Sequence, residues 1–472
     1  MSDLVIETSA LPALLESQRE AFNAAPYPSV AERKANLTAL KRVLLDNQDQ
    51  LVQAMSDDFG HRSADDSKIG DILTSASAIN YSVKRLKRWM KPERKHMDIL
   101  FQPATGKVEY QPLGVIGIMV PWNYPLYLAI GPLIAALAAG NRAMLKMSEL
   151  TPRTNVLLAE LLGSIFSQDH VAVVGGEAEV AAAFAALPFD HLLFTGSTNV
   201  GRKVMAAAAP NLVPVTLELG GKSPAIIAQD IPLRTAVERM IWGKVLNAGQ
   251  TCVAPDYIFC PRSNIDPLVT AFQKQFNQMF PTISNNPDYT SIISDGHYQR
   301  LQQLLADAEQ KGAKIIPLHS DLGSKDARTM PLTLVLNTST DMLLMQEEIF
   351  GPILPIRCYD TLTEVEEYIR SQPRPLAMYI YSFNQAVQKR LLTNLHAGGA
   401  CVNEAAFHVA NDDLPFGGIG ASGMGSYHAD AGFKTFSHAK SVLYRGRLNL
   451  NKLLFPPYGT ALHKLVYKLF IR

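Results

Sequence analysis

The stretch His191-Leu192-Leu193-Phe194-Thr195-Gly196-Ser197-Thr198-Asn199-Val200-Gly201 passes from an apolar strand through a polar turn into a helix. The same half of the chain contains further short apolar strands, at Gly114–Val120, Ala143–Lys146, Val171–Val174 and Val215–Leu219. Helices are predicted between the strands, near residues 127–139, 151–167, 177–187 and 199–209. This alternation predicts an α/β fold with a parallel sheet and crossover helices. A second alternating region follows from about 225 to 420.

Three segments lie outside this alternation. Leucines at steps of three and four residues predict one long helix over residues 31–56, and a hairpin is predicted over Ile99–Gln111. The C-terminal tail has an apolar helical side opposite a basic one, formed by Leu462, Leu465, Val466, Leu469 and Phe470 against Lys464, Lys468 and Arg472. The tail could lie on a membrane surface, cover a substrate mouth, or pack on its own body or a partner subunit.

The composition is that of a globular protein large enough for two or three domains, with 472 residues, 47% hydrophobic and 18% charged. Lys and Arg number 44 against 43 Asp and Glu. This balance gives no electrostatic reason to expect nucleic acid or an anionic membrane as the main partner.

The cysteines and the apolar segments indicate in which cellular compartment we expect the protein. The four cysteines form no CxxC pair, so neither a disulfide framework nor a structural zinc site is predicted, and no metal site is expected. The N-terminus lacks an apolar signal region, so we expect a reducing cytoplasm. The uncharged segment Tyr110–Asn141 is interrupted by prolines and glycines, which argues against a transmembrane helix.

Cys252 is the candidate nucleophile. It ends the segment Gly249-Gln250-Thr251-Cys252, between a predicted helix and a predicted strand, and Glu218 lies 34 positions upstream on a Gly-rich turn. A free thiol has a pKa near ~8.5 and only the thiolate is a good nucleophile, so a nearby carboxylate would supply a base. The alternative is a buried, inert cysteine, which is how we interpret Cys260, Cys358 and Cys401.

Three other turns at strand ends carry polar residues, each with two interpretations. Asn123 could donate a hydrogen bond to an oxyanion or hold a structural turn. Lys146 and Glu149 could bind ribose hydroxyls or be surface charges at a helix start. The turn from Gly196 to Gly201 could bind a phosphate at a helix N-terminus, although its Gly-x4-Gly spacing departs from the usual dinucleotide motif.

Two further motifs are Glu347–Pro352 (EEIFGP) and Leu414–Gly420 (LPFGGIG). Together with PWNYP, KMSE, FTGS, ELGGKSP and GQTC, they strongly resemble the NAD(P)-dependent aldehyde dehydrogenase superfamily, from about residue 10 to 445. The run Ser422–His428 looks like the class 3 and fatty-aldehyde branch. Within that branch, Tyr110–Gly114 and Cys401–His408 look most like bacterial coniferyl-aldehyde dehydrogenases.

The resemblance implies an aldehyde-dehydrogenase-like α/β fold. Its parts would be a Rossmann-type cofactor domain (1–93 and 113–220), an α/β catalytic domain (221–424), a small β oligomerisation arm (94–112 and 425–450) and an amphipathic tail (451–472). It also implies a homodimer in which the arm pairs with a partner's sheet. Without a long apolar segment, the tail would make peripheral membrane contact at most.

The resemblance further implies the roles of individual residues. Cys252 would attack the aldehyde, Asn123 would hold the oxyanion, and Glu218 would be the general base. Glu149 would disfavour a 2′-phosphate, which implies NAD, with NADP as a second cofactor because class 3 relatives with the same Glu accept it. The residues implied to contact the cofactor are Trp122, Lys146, Glu149, Gly196, Ser197, Gly201, Leu219, Glu348 and Phe350.

The expected activity is therefore oxidation of an aldehyde, aromatic like coniferaldehyde or aliphatic, to the carboxylic acid. Transfer of the acyl group to coenzyme A is disfavoured because Glu218 suits the activation of water. A cofactor-free cysteine hydrolase would leave the cofactor motifs without a role. A non-catalytic protein would not need Cys252, Glu218 and Asn123 together.

Overall fold

The computed structural model describes residues 7–471, and residues 1–6 and Arg472 of the predicted terminal segments lie outside them. The strands are β1 (Glu93–Lys95), β2 (Thr105–Pro112), β3 (Val115–Met119), β4 (Arg142–Lys146), β5 (Val171–Val174), β6 (His191–Gly196), β7 (Val215–Leu219), β8 (Pro224–Ile227), β9 (Tyr257–Pro261), β10 (Lys314–Pro317), β11 (Thr333–Leu336), β12 (Ile353–Tyr359), β13 (Ala377–Tyr381), β14 (Gly399–Val402), β15 (Gly423–Met424) and β16 (Ser437–Tyr444). The helices are α1 (Leu11–Ala24), α2 (Val30–Asp46), α3 (Gln48–Phe59), α4 (Ala64–Ser67), α5 (Thr74–Trp89), α6 (Tyr127–Ala139), α7 (Pro152–Gly163), α8 (Ala178–Ala185), α9 (Thr198–Ala208), α10 (Leu233–Val245), α11 (Ile265–Met279), α12 (Asp295–Gln310), α13 (Leu343–Gln346), α14 (Leu362–Ser371), α15 (Gln385–Asn394), α16 (Ala429–Thr435) and α17 (Ala461–Phe470).

The first sheet has the strand order β15-β7-β6-β3-β4-β5. All pairs from β7 to β5 are parallel, and β15 is antiparallel to β7. β3 is buried at every position, and its two faces belong to separate apolar clusters. A strand covered on both faces needs a continuous apolar run, which explains the sequence of β3. The carboxyl ends of β3, β4, β6 and β7 lie along one edge, where the polar turns follow.

The second sheet has the order β10-β11-β12-β9-β8-β13-β14. Only β10 pairs antiparallel in it. Alternate side chains of β9 face two different apolar clusters, with Ile258 on one side and Phe259 on the other. The predicted α/β class is thus confirmed in both halves of the chain.

A third sheet, β1-β2-β16, joins two distant parts of the chain. β16 runs antiparallel to β2 along its whole length, with Ser437 opposite Pro112 and Tyr444 opposite Thr105. The hairpin predicted over Ile99–Gln111 is misplaced, because β2 pairs with the earlier segment Glu93–Lys95. Residues 99–101 form a short 3-10 helix within the connection instead.

Two other sequence predictions are wrong. The predicted single helix over residues 31–56 is divided into α2 and α3 at Asn47, whose side-chain amide donates to the Val43 carbonyl at 2.8 Å. Such local side-chain bonding competes with the helix, which favours a break there. Cys358 is exposed rather than part of the core, since it lies near the end of β12 beside the Arg262 guanidinium at 3.0 Å.

The C-terminal tail leaves much of its apolar side exposed. α17 begins after the N-cap Thr460, and Leu465, Leu469 and Phe470 on it are about half exposed. Between residues 7 and 471, no helix is both long and apolar enough to cross a membrane.

Candidate active site

The Cys252 loop lies between α10 and β9 and is held in a strained conformation. Asn247 and Ala248 have left-handed backbone φ angles of 52°, and Gly249 follows at 76°. A Cβ atom at Gly249 would lie 2.5 Å from the Gly351 carbonyl oxygen, so glycine is required there. Backbone strain of this kind persists only when surrounding contacts fix it.

Those contacts come from buried side chains of the loop itself. The Gln250 amide donates to the carbonyls of Asn247 at 3.0 Å and Ser291 at 3.1 Å, and its oxygen accepts from Ile293 N–H at 3.0 Å. The Thr251 hydroxyl bonds Tyr124 at 2.8 Å. Together these bonds fix the direction in which Cys252 leaves the loop.

Asn123 is bound directly to this loop. Its side-chain nitrogen donates to the Gln250 carbonyl at 3.1 Å, which uses one of its two N–H groups. Its own backbone carbonyl accepts from Asn247 Nδ2 at 2.9 Å and from Arg62 Nη1 at 2.9 Å. The predicted oxyanion donor and the predicted nucleophile loop therefore form one hydrogen-bonded unit.

A buried ion pair supports that unit. Arg62 bonds Asp71 at 2.8 Å, and both side chains are fully shielded from solvent. Asp71 also accepts from the Tyr127 N–H at 2.9 Å, at the start of α6, and the Arg62 guanidinium lies over the Tyr124 ring. Arg62 and Asp71 were not predicted from the sequence, because nothing in their local sequence distinguishes them from surface charges.

Glu218 lies in β7, opposite Thr195 of β6 and Gly423 of β15. It is 3% exposed, and neither carboxylate oxygen has a hydrogen-bond partner. Burial therefore raises the pKa of Glu218 well above its ordinary value. A buried carboxyl with unused oxygens is available to exchange a proton.

Cys252 is half-buried. Burial, followed by the negative charges of Glu348 and Glu218, raises its pKa to about 12. The thiol is therefore protonated at neutral pH in this arrangement and needs a base to become a nucleophile. The negative charges of both carboxylates therefore disfavour the thiolate form of Cys252.

Glu348 lies against the Gly-rich turn that follows Glu218. A Cβ atom at Gly220 would overlap the Glu348 carboxylate in its present position, so a side chain there would displace that carboxylate. Burial and the nearby Asp256 raise the pKa of Glu348 to about 8, against the lowering effect of the Gly221 N–H. The EEIFGP and ELGGKSP motifs are thus in direct contact.

Aromatic residues complete this side of the site. Phe350 has a left-handed φ of 52°, unusual for a bulky residue. Its ring packs edge-on against Trp122 at 5.4 Å between centroids. Trp122 also packs against His297 at 5.0 Å. These rings form an apolar wall between the end of β3 and the EEIFGP turn.

The remaining predicted cofactor residues lie at the ends of β4 and β6. Lys146 is 3% exposed and donates to the carbonyls of Met147 at 2.7 Å and Gly176 at 2.6 Å, which leaves one ammonium proton unused. Glu149 is exposed nearby, and its charge favours the protonated form of Lys146 against the pKa-lowering effect of burial.

Ser197 caps α9, since its hydroxyl accepts from Val200 N–H at 3.4 Å. Gly196 precedes it, and Gly201 faces Leu219 so closely that a Cβ atom would lie 2.6 Å from that side chain. Strand, turn and helix are therefore packed without space for larger residues. Over the described range 7–471, no three His, Cys, Asp or Glu side chains are grouped as a metal site requires.

The predicted residues come from two parts of the fold. Cys252, Glu348 and Phe350 lie in loops that precede β9 and β12 of the second sheet. The others lie in strands of the first sheet or in the segments that follow them: Trp122, Asn123, Lys146, Glu149, Gly196, Ser197, Gly201, Glu218 and Leu219. The two parts meet where Asn123 bonds Gln250 and where Trp122 packs against Phe350. Ligands of parallel α/β sheets bind at the carboxyl ends of the strands.

The chain is similar to known proteins over nearly its whole length. The aldehyde dehydrogenase family profile matches residues 7–442. The chain is 51% identical to a probable coniferyl aldehyde dehydrogenase of Pseudomonas aeruginosa, over 99% of this chain and 97% of that one. A substrate-bound AldH of Staphylococcus aureus is 36% identical with a TM-score of 0.92, covering 98% of this chain and 99% of the other. A Mycobacterium tuberculosis aldehyde dehydrogenase complexed with NAD+ is 29% identical with a TM-score of 0.86, covering 94% and 92% of the two chains. The chain belongs to the aldehyde dehydrogenase family.

Proposed function

We propose that this enzyme oxidises an aromatic aldehyde of the coniferaldehyde type to the carboxylic acid with NAD, through a thioester on Cys252. Aldehyde oxidation itself follows from family membership. The relative named as a probable coniferyl aldehyde dehydrogenase supports the aromatic substrate class. The observation that carries the mechanism is the buried Glu218 carboxyl, which has no hydrogen-bond partner and lies within electrostatic reach of Cys252.

The first step is attack of the Cys252 sulfur on the aldehyde carbon. The thiol proton passes to Glu218, directly or through a water molecule, and a thiohemiacetal forms. The remaining Nδ2–H of Asn123 and the Cys252 backbone N–H hold the oxygen of the tetrahedral carbon. Removing one such donor typically lowers the rate by roughly 10²–10³.

The second step is hydrolysis of the thioester. Glu218 first releases the thiol proton to solvent, then takes a proton from the attacking water and returns it to the Cys252 sulfur as the sulfur leaves. The raised pKa of Glu218 suits this exchange, because a base that is too weak would not deprotonate water. Because Glu218 activates water, we expect the product to be a free carboxylic acid rather than a coenzyme A thioester.

The residues along the sheet edge fit a dinucleotide. Lys146 has a free ammonium proton for a ribose hydroxyl, and Ser197 opens a helix whose first N–H groups suit a pyrophosphate. Thr195 Oγ1 is buried there without a partner. Glu348 would hold the second ribose, and Trp122 and Phe350 would border the nicotinamide. The chemistry that bound NAD supplies is acceptance of a hydride from the aldehyde carbon.

We further propose that the protein has a cofactor domain, a catalytic domain and an arm, forms a homodimer and is cytoplasmic. Residues 1–93 and 113–220 form the cofactor domain, 221–424 the catalytic domain, and 94–112 with 425–450 the arm. The pairing of β2 with β16 supports the arm. Its exposed strand edge and the half-exposed apolar side of α17 support a homodimer. The cysteines are all free, which supports a cytoplasmic location.

The assay that tests this function mixes the protein with NAD and one aldehyde and follows reduced-cofactor absorbance. Coniferaldehyde, benzaldehyde and octanal separate an aromatic preference from a broad aliphatic one. We expect the highest kcat/KM with coniferaldehyde. No reduction with any of them and with either NAD or NADP would contradict the proposal, and a preference for octanal would contradict its substrate class.

A further inference from the structure

An ion pair lies beside the EEIFGP turn, and the proposed chemistry does not use it. Its members, Lys222 and Asp256, precede β8 and β9, which are adjacent parallel strands. The Asp256 N–H donates to the Ser223 carbonyl at 2.8 Å, which fixes the spacing of the two segments. The two side chains therefore meet, and they are only 13% and 5% exposed.

Both members of the pair are bonded to protein atoms throughout. The Lys222 ammonium donates to Asp256 and to two carbonyls at the end of α13, those of Leu344 at 2.7 Å and Glu347 at 3.0 Å. These bonds use its three protons. One Asp256 oxygen accepts from Lys222, and the other accepts from the Ile349 N–H at 2.9 Å. The pair is therefore built to hold the protein chain rather than a ligand.

The segment that the pair holds is the main chain on both sides of Glu348. Lys222 binds the carbonyl of the preceding residue, Glu347, and Asp256 binds the N–H of the following residue, Ile349. Hydrogen bonds weaken steeply when their geometry is disturbed. The position of Glu348 in space therefore depends on an ion pair that its own side chain does not belong to.

The Glu348 carboxylate lies against the same turn that carries Lys222. A Cβ atom at Gly220, two residues before Lys222, would be 2.0 Å from a Glu348 carboxylate oxygen. Arg300 of α12 donates to the carbonyls of Glu348 and of the next residue. Because this second support remains, loss of the ion pair should displace the turn rather than unfold it.

We propose that Lys222 and Asp256 are positioning residues that place the Glu348 carboxylate for hydrogen bonding to the nicotinamide ribose of NAD. This rests on the proposed role of Glu348 as the ligand of that ribose, and it adds the pair of residues that determines where Glu348 lies. The effect of the pair on cofactor binding passes through the main chain of the EEIFGP turn. No covalent change occurs at either residue.

The test measures the Kd of NAD and the Kd of ADP by isothermal titration calorimetry in the absence of aldehyde. ADP contains the adenosine half of NAD and lacks the nicotinamide ribose, so the ratio of the two Kd values reports on that ribose. In Lys222→Met we expect the Kd of NAD to rise about fivefold or more, because a displaced carboxylate loses charge-assisted hydrogen bonds. The Kd of ADP should stay the same.

A double variant separates this role from a general loss of stability. Removing one partner of a buried ion pair leaves the other charge unpaired, whereas Lys222→Met combined with Asp256→Asn leaves no unpaired charge. We expect the urea midpoint of the double variant to lie closer to that of the wild type than the midpoint of Lys222→Met does. Its Kd of NAD should remain as high as in Lys222→Met, because the Glu347 carbonyl is still released.

Lys311→Met is the matched control. Lys311 pairs with Asp307 at 2.7 Å, and Asp307 also accepts from a main-chain N–H, that of Leu343 at 2.7 Å. This pair holds the start of α13 in the way that Lys222 and Asp256 hold the segment after its end. The ratio of the two Kd values in Lys311→Met should equal that of the wild type.

A wild-type ratio of the two Kd values in Lys222→Met would overturn this inference and leave the proposed oxidation intact. The same holds if the Kd of NAD recovers together with stability in the double variant, or if Lys311→Met raises the ratio equally. If Lys222→Met does not fold, the ratio in the double variant decides: a raised ratio supports the inference, and a wild-type ratio overturns it. Failure of the wild type to bind NAD would overturn both the inference and the proposed use of NAD.

Discussion

Arg62 donates a 2.9 Å hydrogen bond to the backbone carbonyl of Asn123. The same carbonyl accepts from Asn247, the first left-handed residue of the nucleophile loop. One guanidinium, balanced by Asp71, thus links the proposed oxyanion donor to the loop that carries Cys252. A small displacement of Arg62 would change the distance between Asn123 and the reacting carbon.

The Asp71→Asn variant should therefore have a lower free energy of unfolding and a lower kcat than the wild type. Removing one partner of a fully buried ion pair leaves the other charge unpaired and typically costs about 3–5 kcal/mol. Urea unfolding and kcat measured on the folded fraction check the two effects. The control is Asp57→Asn, which removes an exposed pair with Arg153 at 3.5 Å and should cost less than about 1 kcal/mol. Similar stability of the two variants would contradict the assigned role of Arg62.

Glu348→Gln should increase the reactivity of Cys252 in the cofactor-free enzyme. After burial, Glu348 is the largest cause of the raised thiol pKa, and its own pKa of about 8 means that it is charged at pH 9. We expect several-fold faster alkylation of Cys252 by iodoacetamide at pH 9 in the variant, measured by peptide mass spectrometry. The exposed Cys358 in the same samples is an internal control. If the rate of Cys252 alkylation were the same in the variant and the wild type, an electrostatic effect of Glu348 on Cys252 would be excluded.

Stability should fall with rising pH because of Glu348. Its pKa in the folded protein is raised to about 8 from an ordinary 4.5, so the native state binds a proton that the unfolded chain releases. The contribution to stability is complete below pH 4.5 and is lost as pH rises through about 8. Glu348→Gln should therefore gain stability relative to the wild type between pH 5 and pH 9, by up to a few kcal/mol. A constant difference in urea midpoint over this range would contradict the raised pKa.

Glu149→Gln should improve the use of NADP relative to NAD. Glu149 is exposed beside Lys146, and we propose that its charge repels the 2′-phosphate of NADP. We expect the KM for NADP to fall several-fold while that for NAD changes less, with a smaller effect at high salt because exposed charges are screened. Glu160→Gln, an exposed carboxylate in α7, is the control. If the ratio of the KM for NADP to the KM for NAD were the same in both variants, a role of Glu149 in cofactor choice would be excluded.

The sequence predicted regular elements well where burial leaves a clear pattern. β5 and β7 have the predicted bounds. β5 is apolar throughout, and in β7 the apolar residues Val215, Leu217 and Leu219 alternate with Thr216 and Glu218. The break at Asn47 was missed because a helical period continues across it. The position of Cys358 was missed because an apolar strand does not reveal which end is exposed.

The chemistry of the site was only partly predictable. The motifs identified Cys252, Glu218 and Asn123, but the distance along the chain between them contains no information on geometry. Arg62 and Asp71 were not predicted, because a buried charge pair depends on tertiary packing. That packing brings together the segment before α4, the segment between α4 and α5, and the β3–α6 turn.

Trapping the covalent intermediate separates the proposed role of Cys252 as nucleophile from that of Glu218 as base. Glu218→Gln is mixed with NAD and coniferaldehyde, quenched in acid and examined by peptide mass spectrometry. We predict an acyl group on the Cys252 peptide, because loss of the base slows hydrolysis of the thioester more than its formation. The acyl group is absent from Cys252→Ala, and turnover of Glu218→Gln is lower by roughly 10²-fold or more. Turnover of Glu218→Gln at the wild-type rate, or an acyl group on a different residue, would contradict the account.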